Sequence, residues 1–407
     1  MSESVIEPTS PRLTHRQRFL RCMHFQSVDR VPHWEFGYLD ETLQRWHAEG
    51  LPPEHNNNWS VEAYFGVDPV AYIPLAADLN PPFQGETVVV EDRGRTRLLQ
   101  YPDGSIVEVG KEGQHTIPHY VKFPIATRDD WKRFKERLNP DDPARHQTDY
   151  REVGRGLVQS DLPIHVGLGS FFGTPRNWIG FENIALMCYD DRPLVEEIVA
   201  TLSDLHYSQL KKALRHCEAD FAGGWEDICF RNGPMISPRM FREICGPYIK
   251  RACDLLRQHG CDVIYTDCDG DVTALVPIWQ ECGMHAMFPL EVHPGSDPVK
   301  YRRMYGHDIQ LRGGIDKRKL AGTRQDILNE LRRVEKLVED GAFIPHGDHR
   351  IPEDVSYDNY KYYVREKLAL LGWRSDEVAG IEPLRNVPSA WADLGAASAR
   401  AQTSARG

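Results

Sequence analysis

No apolar run in this chain of 407 residues approaches the roughly 20 that a membrane-spanning helix needs, so no membrane partner is expected. Basic residues do not prevail either. The 49 Lys and Arg stand against 60 Asp and Glu, and the net charge of -11 argues against non-specific nucleic-acid binding. The nine cysteines include no CxxC pair and no even, disulfide-like spacing. They read as buried thiols of a reducing compartment, with at most one or two used by a site. No G-x-G-x-x-G opens a helix, and the stretch Gly169-Ser170-Phe171-Phe172-Gly173 lacks that spacing, so NAD is not expected. Residues 1–11 carry neither the basic start nor the apolar stretch of a secretory signal, which makes the cytoplasm the expected compartment.

What the chain does have is length and regular alternation. A chain of this size buries a large core, as one (β/α)8 barrel with insertions or as two ordinary domains. From about Asp161 onward, apolar segments alternate with amphipathic ones. Strands are expected at 162–168, 220–225, 261–265, 285–290, 308–311 and 342–345, and helices at 193–214, 238–259 with a break near Gly246-Pro247, 272–282, 297–305, 324–340 and 359–371. Ser237 precedes Pro238 as a helix N-cap. A first strand is expected at 31–36. Residues 86–109 alternate polar and apolar side chains around Asp92-Arg93-Gly94 and Pro102-Asp103-Gly104 turns, which reads as an inserted antiparallel β-meander. Six strands after Asp161 and at least one before it favour a closed α/β TIM barrel. One domain over 12–375 is expected, followed by a flexible tail at 388–407 rich in Ala and Ser.

Four short segments stand out at the ends of the expected strands. They are Trp225-Glu226-Asp227, Tyr265-Thr266-Asp267-Cys268-Asp269-Gly270-Asp271, Glu291-Val292-His293 and His346-Gly347-Asp348-His349. Isolated carboxylates are costly to bury, and the C-terminal ends of barrel strands converge on one face, so the segments read as one cleft. Plainer readings stand beside this one. Asp267, Asp269 and Asp271 suit a turn with a helix N-cap, and Glu226 and Asp227 suit local pairs with Arg231 or Arg239. His346, Asp348 and His349 suit a hydrogen-bonded turn in which Asp348 orients an imidazole, which is also what a metal-ligating or proton-transferring histidine requires. Arg312, before Gly313-Gly314, suits an ion pair or an anionic substrate group. Phe171 and Phe172 suit a loop covering a ligand.

Several motifs carry a resemblance. Thr14-His15-Arg16-Gln17-Arg18-Phe19-Leu20 continues through Val28-Asp29-Arg30-Val31-Pro32. Further on come Asn232-Gly233-Pro234-Met235-Ile236-Ser237-Pro238 with Phe241, then Leu311-Arg312-Gly313-Gly314-Ile315-Asp316, then His346-Gly347-Asp348-His349 with Pro352 and Asn359. Together they resemble the uroporphyrinogen decarboxylase superfamily over about residues 12–372. The resemblance implies a (β/α)8 barrel that serves either decarboxylases of the haem pathway or zinc-dependent methyltransferases working with corrinoid proteins. The chain departs from both branches. In place of the arginine-rich loop of the decarboxylases stands His33-Trp34-Glu35-Phe36-Gly37-Tyr38, whose acid would repel a polycarboxylate. In place of the His-x-Cys pair of the methyltransferases stands Thr266-Asp267-Cys268-Asp269, and the last strand supplies His346 and His349 rather than Cys.

Three readings follow. The first is methyl transfer or demethylation of a small substrate, with zinc as a candidate metal and a corrinoid carried by a partner protein. The second is decarboxylation of a small carboxylated substrate, and the third a binding barrel without turnover. The first is preferred. Asp267, Asp269, Glu226, Asp348 and His349 are the expected catalytic residues. Trp34, Glu35, Phe171, Phe172, Asp227, Arg231, Tyr265 and Arg312 are expected to meet substrate, and Cys268, Glu291 and His346 to hold a metal. Pairing of two copies into a homodimer is expected as well.

Overall fold

Short runs of β-branched and aromatic residues, each followed by an amphipathic helix, form a parallel sheet wrapped by helices. The computed structural model describes residues 12–77, 86–111 and 118–390. Its strands are β1 (Ala71–Ile73), β2 (Val88–Asp92), β3 (Thr96–Gln100), β4 (Ile106–Gly110), β5 (His119–Lys122), β6 (Ile164–Gly169), β7 (Phe221–Trp225), β8 (Cys229–Phe230), β9 (Gly233–Pro234), β10 (Val263–Asp267), β11 (Ala286–Phe288), β12 (Gln310–Ile315) and β13 (Phe343–Gly347). The main sheet has seven strands in the order β1-β6-β7-β10-β11-β12-β13, paired in parallel throughout. This is the α/β barrel expected from the alternation, with the six strands expected after Asp161. No helix among the described residues is long and apolar enough to cross a membrane.

The helices fall close to their expected places. The long ones are Arg192–Leu214, Gly246–Gln258, Arg324–Asp340 and Tyr357–Leu370. The break near Gly246 is present, since Pro238–Ile244 ends just before Gly246–Gln258 begins. Ser237 holds the N-cap position, but its side chain makes no capping bond. The inserted meander is larger than expected: β2-β3-β4-β5 form one antiparallel sheet that reaches Lys122. Most of the tail at 388–407 lies outside the described residues.

Residues 31–36 do not form the expected first strand; the leading barrel strand is β1. Pro32 has no N–H to give to a ladder, and the segment is held by separate bonds to both sides of a gap. On one side the Asp68 amide donates to the His33 carbonyl at 2.8 Å. On the other, Tyr38 bridges Ile351 in parallel, and the Ile351 amide donates to the Gly37 carbonyl at 2.9 Å. The segment therefore spans from the approach to β1 to the exit of β13 and fills the eighth position without a ladder.

Register decides which side chains enter the barrel. Tyr72 pairs with His165, His165 with Phe221, and Gly223 with Tyr265. Asp267 then pairs with Phe288, and Gly314 with His346. Paired residues of parallel strands share a face, and so do residues two apart on one strand. Tyr72, His165, Phe221, Tyr265, Asp267, Phe288, Arg312 and His346 consequently all face inward. Gly223 makes room for this arrangement, because a Cβ there would lie 2.0 Å from the Tyr265 ring.

The anchor of the 31–38 segment is a buried ion pair. Asp68 accepts from both Nη atoms of Arg30, at 2.6 and 2.7 Å, and from the His33 amide at 3.0 Å. Against burial, His15 at 3.3 Å together with these donors holds its carboxyl well below the ordinary range. Asp68→Ala leaves Arg30 buried and unpaired, so urea unfolding is expected to show a loss of about 3–5 kcal/mol. A loss under about 1 kcal/mol, the scale of a surface pair, would contradict this role.

Candidate active site

The inward face encloses a cavity of about 420 Å³. Its lining includes Trp34, Phe36, Trp59, Glu62, Tyr72, His165, Tyr265, Arg312 and Arg350. Arg312 belongs to β12 itself rather than to a turn after it, and this places its guanidinium inside the barrel. The guanidinium carbon lies 4.6 Å from the Trp34 ring centre, 4.9 Å from that of Tyr265 and 4.7 Å from that of Phe288. His165 stands beside them, its Nε2 sharing a hydrogen bond with the Tyr265 hydroxyl at 3.3 Å. Burial, with Arg312 nearby, lowers its pKa to about 4, so its ring is neutral at neutral pH.

At the strand ends, two residues beyond the cavity-lining Tyr265 on β10, three of the expected acids meet. Carboxylate oxygens of Asp227, Asp267 and Asp269 all lie within 4.8 Å of one another. Asp227 takes a left-handed backbone with φ of 45°, which Asp tolerates better than most residues, and its carbonyl accepts from Arg176. Asp267 is the last residue of β10 and lies on the same face as Tyr265. Burial and the charges of Asp227 and Asp269 raise its pKa well above the ordinary value, against the pull of Arg312 and Arg350. Burial raises Asp227 as well. Three carboxylates at this separation cannot all stay ionised without a compensating proton or cation. His349 pairs with Asp269 at 3.3 Å and sets its ring edge-on to Phe36.

The other expected site residues have structural partners. Glu226 is buried and accepts from the amides of Phe171, Phe172 and Gly173, at 3.0, 2.8 and 3.0 Å, and from the Ser170 hydroxyl at 3.1 Å. It stitches the 170–173 turn and does not join the three aspartates. Phe171 and Phe172 are buried in the core instead of covering a ligand. Asp348 accepts from the Val292 and Lys317 amides, and burial raises its pKa to about 6. It orients no histidine. Arg231 is exposed in the turn between β8 and β9, and Arg239 pairs with Glu243, so the local pairs expected for Glu226 and Asp227 are absent among the described residues. Glu35 is not a free repelling charge, since it forms a fully buried pair with Lys367.

The expected zinc ligands do not gather. Glu291 accepts from the Gly270 amide at 2.8 Å and from Lys317 at 2.9 Å. The Cys268 thiol is buried beside Cys229, and burial pushes its pKa well up. His346 donates from Nδ1 to its neighbour's carbonyl at 2.8 Å and keeps a buried, unpartnered Nε2 inside the barrel. Among the described residues the one cluster of three or more metal-capable groups is the aspartate trio, which offers oxygen donors only. That set suits a hard cation better than the Cys and His ligands of the expected zinc site.

Sequence reasoning missed His165, Tyr72, Glu62 and Arg350. The signal for His165 was a histidine inside the apolar run 162–168, since a polar residue within a buried parallel strand needs a reason to be there. Glu62 sits on the helix Asn58–Tyr64, and burial together with the Glu35 charge raises its pKa from 4.5 to about 7. A carboxyl raised in the folded state binds its proton more tightly there than in the unfolded chain. It therefore costs stability progressively as pH rises from 4.5 to about 7. Glu62→Gln removes that term, so thermal melts should show the variant gaining on the wild type across this interval. A difference between the two that stays flat with pH would contradict the burial of this acid.

Comparison with known proteins follows the same lines. No curated protein matches the chain. The solved structures similar to it include a methyltransferase from Methanosarcina mazei, with TM-score 0.52 and 16% identity over 84% of this chain and 96% of that one. A B12-independent methionine synthase from Shewanella sp. W3-18-1 in complex with selenomethionine aligns with TM-score 0.40 and 13% identity, over 88% and 98%. The sequence pattern of uroporphyrinogen decarboxylase (URO-D) matches residues 104–367. A match over more than half of the chain, on a parallel α/β barrel with its inward face built as described, makes this chain a member of the uroporphyrinogen decarboxylase family.

Proposed function

We propose that the protein transfers a methyl group from a small substrate in the barrel cavity, with Asp267 as the acid for the departing atom. The observation that carries this reading is the cluster of Asp227, Asp267 and Asp269 just beyond the cavity-lining Tyr265, where burial and two neighbouring carboxylates favour the protonated form of Asp267. When a methyl group leaves a methoxy oxygen for an external nucleophile, the C–O electron pair stays on oxygen. A proton from the Asp267 carboxyl then turns that oxygen into a free alcohol and leaves the aspartate ionised. Arg312 and Arg350 stabilise the carboxylate so formed, and His349, paired with the neighbouring Asp269, returns the proton. The methyltransferase from Methanosarcina mazei shares the fold, which supports the reading at that level.

Cys268, Glu291 and His346 do not fit a zinc site, and the proton chemistry of Asp267 stands without one. A cavity of about 420 Å³ admits a small molecule and not a corrin macrocycle. A corrinoid acceptor would therefore reach the mouth on a partner protein.

The test is turnover of methyl ethers with a reduced cobalamin as acceptor, followed by release of the free alcohol. Asp267→Asn keeps the shape but carries no transferable proton, so kcat is expected to fall about 10²–10⁴-fold with KM little changed. The wild-type rate is expected to decline as pH rises through the elevated pKa of Asp267, because the protonated form is the active one. A variant with wild-type kcat would refute the assignment. Release of CO2 without methyl transfer would replace it with decarboxylation.

A further inference from the structure

Two cations face the cavity without an anion. Arg312 is held between the rings of Trp34, Tyr265 and Phe288, and its Nε is buried with no hydrogen-bond partner. Arg350, just past β13, lines the same cavity from its exposed rim. Among the described residues no carboxylate comes within ion-pair distance of either arginine. The other acids of the lining do not compensate them. Glu35 is taken by Lys367 and Asp68 by Arg30, and Glu62 is raised to about 7 and so is only partly ionised at neutral pH. Asp267 senses both arginines without coming within ion-pair distance of either, and burial with two neighbouring aspartates favours its protonated form.

Aromatic rings engage the faces of a guanidinium, and although Arg312 hydrogen-bonds to the Tyr265 hydroxyl, its edge Nε is left unsatisfied. A carboxylate meets that edge with two parallel hydrogen bonds and supplies the missing charge. The lining brings the rings of Trp34, Phe36, Trp59, Tyr72 and Tyr265 to the same cavity, and the volume of about 420 Å³ suits a molecule of about one ring. A second carboxylate would meet Glu62 on the same lining, and that acid is partly ionised at neutral pH, which disfavours polyacids.

We propose that the substrate is a small monocarboxylic acid with a flat apolar body, its carboxylate held by Arg312 and, at the rim, Arg350. The proposal rests on the cavity being the substrate site, as in the methyl-transfer reading, and not on the fate of the methyl group.

Benzoate, benzamide and benzylamine present one ring with a negative, a neutral and a positive group, and calorimetric titration of the full chain compares them. Benzoate is expected to bind at least about tenfold more tightly than benzamide, with benzylamine weakest, as a charge-assisted pair requires. Arg312→Gln is expected to lose that preference while keeping benzamide binding, and Arg350→Gln to lose part of it. Arg350 lies at the exposed rim, so its variant carries the test if the Arg312 variant fails to fold. Benzoate binding no tighter than benzamide, or wild-type benzoate affinity in both variants, overturns the proposal. Asp267→Asn separates the two readings, since it should keep benzoate binding while losing turnover. Benzoate binding with turnover that ignores Asp267 leaves this proposal standing and removes the acid. Turnover that needs Asp267, in a protein blind to benzoate, does the reverse.

Discussion

Because the seven strands run parallel and pair residue to residue, an inward side chain on one strand obliges its partner on the next to face inward too. The set from Tyr72 through His165, Tyr265 and Phe288 to Arg312 and His346 is thus a single decision made around the barrel. A slip of one residue by β12 against its neighbours would exchange Arg312 for Leu311 and send a guanidinium into the layer between sheet and helices. Gly223 protects the arrangement from within, since only a residue without a Cβ lets the Tyr265 ring lie across the neighbouring strand.

The carboxylates at the barrel mouth divide by what surrounds them. Glu226, Glu291 and Asp348 receive backbone amides from neighbouring loops, and Asp68 receives a backbone amide and a guanidinium, so each acts as a fastener. Asp227, Asp267 and Asp269 mainly face one another. Burial acts on both groups, but only the second also carries mutual repulsion, which is what keeps a carboxyl protonated. Fastening acids and the mutually facing aspartates therefore share the same strand ends in different electrostatic surroundings.

The barrel, its six later strands and most helices were legible because alternation and helical periodicity survive in the sequence. Strand ends were not. The expected strands at 308–311, 342–345 and 261–265 stop where polar residues begin, whereas β12, β13 and β10 continue through Arg312, His346 and Asp267. An apolar-run criterion ends a strand at the residues that a functional barrel directs inward. The convergence of Asp227, Asp267 and Asp269 followed from strand-end topology. The removal of Glu226, Glu291 and Asp348 into backbone bonds did not, because such bonds depend on loops that no local pattern describes. Residues 31–36 misled for a related reason, since their apolar character serves the core while single bonds to Asp68 and Ile351 replace a ladder.

The buried pair of Glu35 and Lys367 ties the first residues of the barrel to its last long helix, with both side chains fully enclosed. In a chain made from the N-terminus onward, Glu35 leaves the ribosome more than 300 residues before its partner. Until Lys367 emerges, the cavity wall would enclose an unpaired carboxylate, and water is the cheaper place for that charge. The wall that carries Glu35 is therefore completed only by the helix Tyr357–Leu370, and a nascent chain stopped short of that helix has no finished site to offer a substrate.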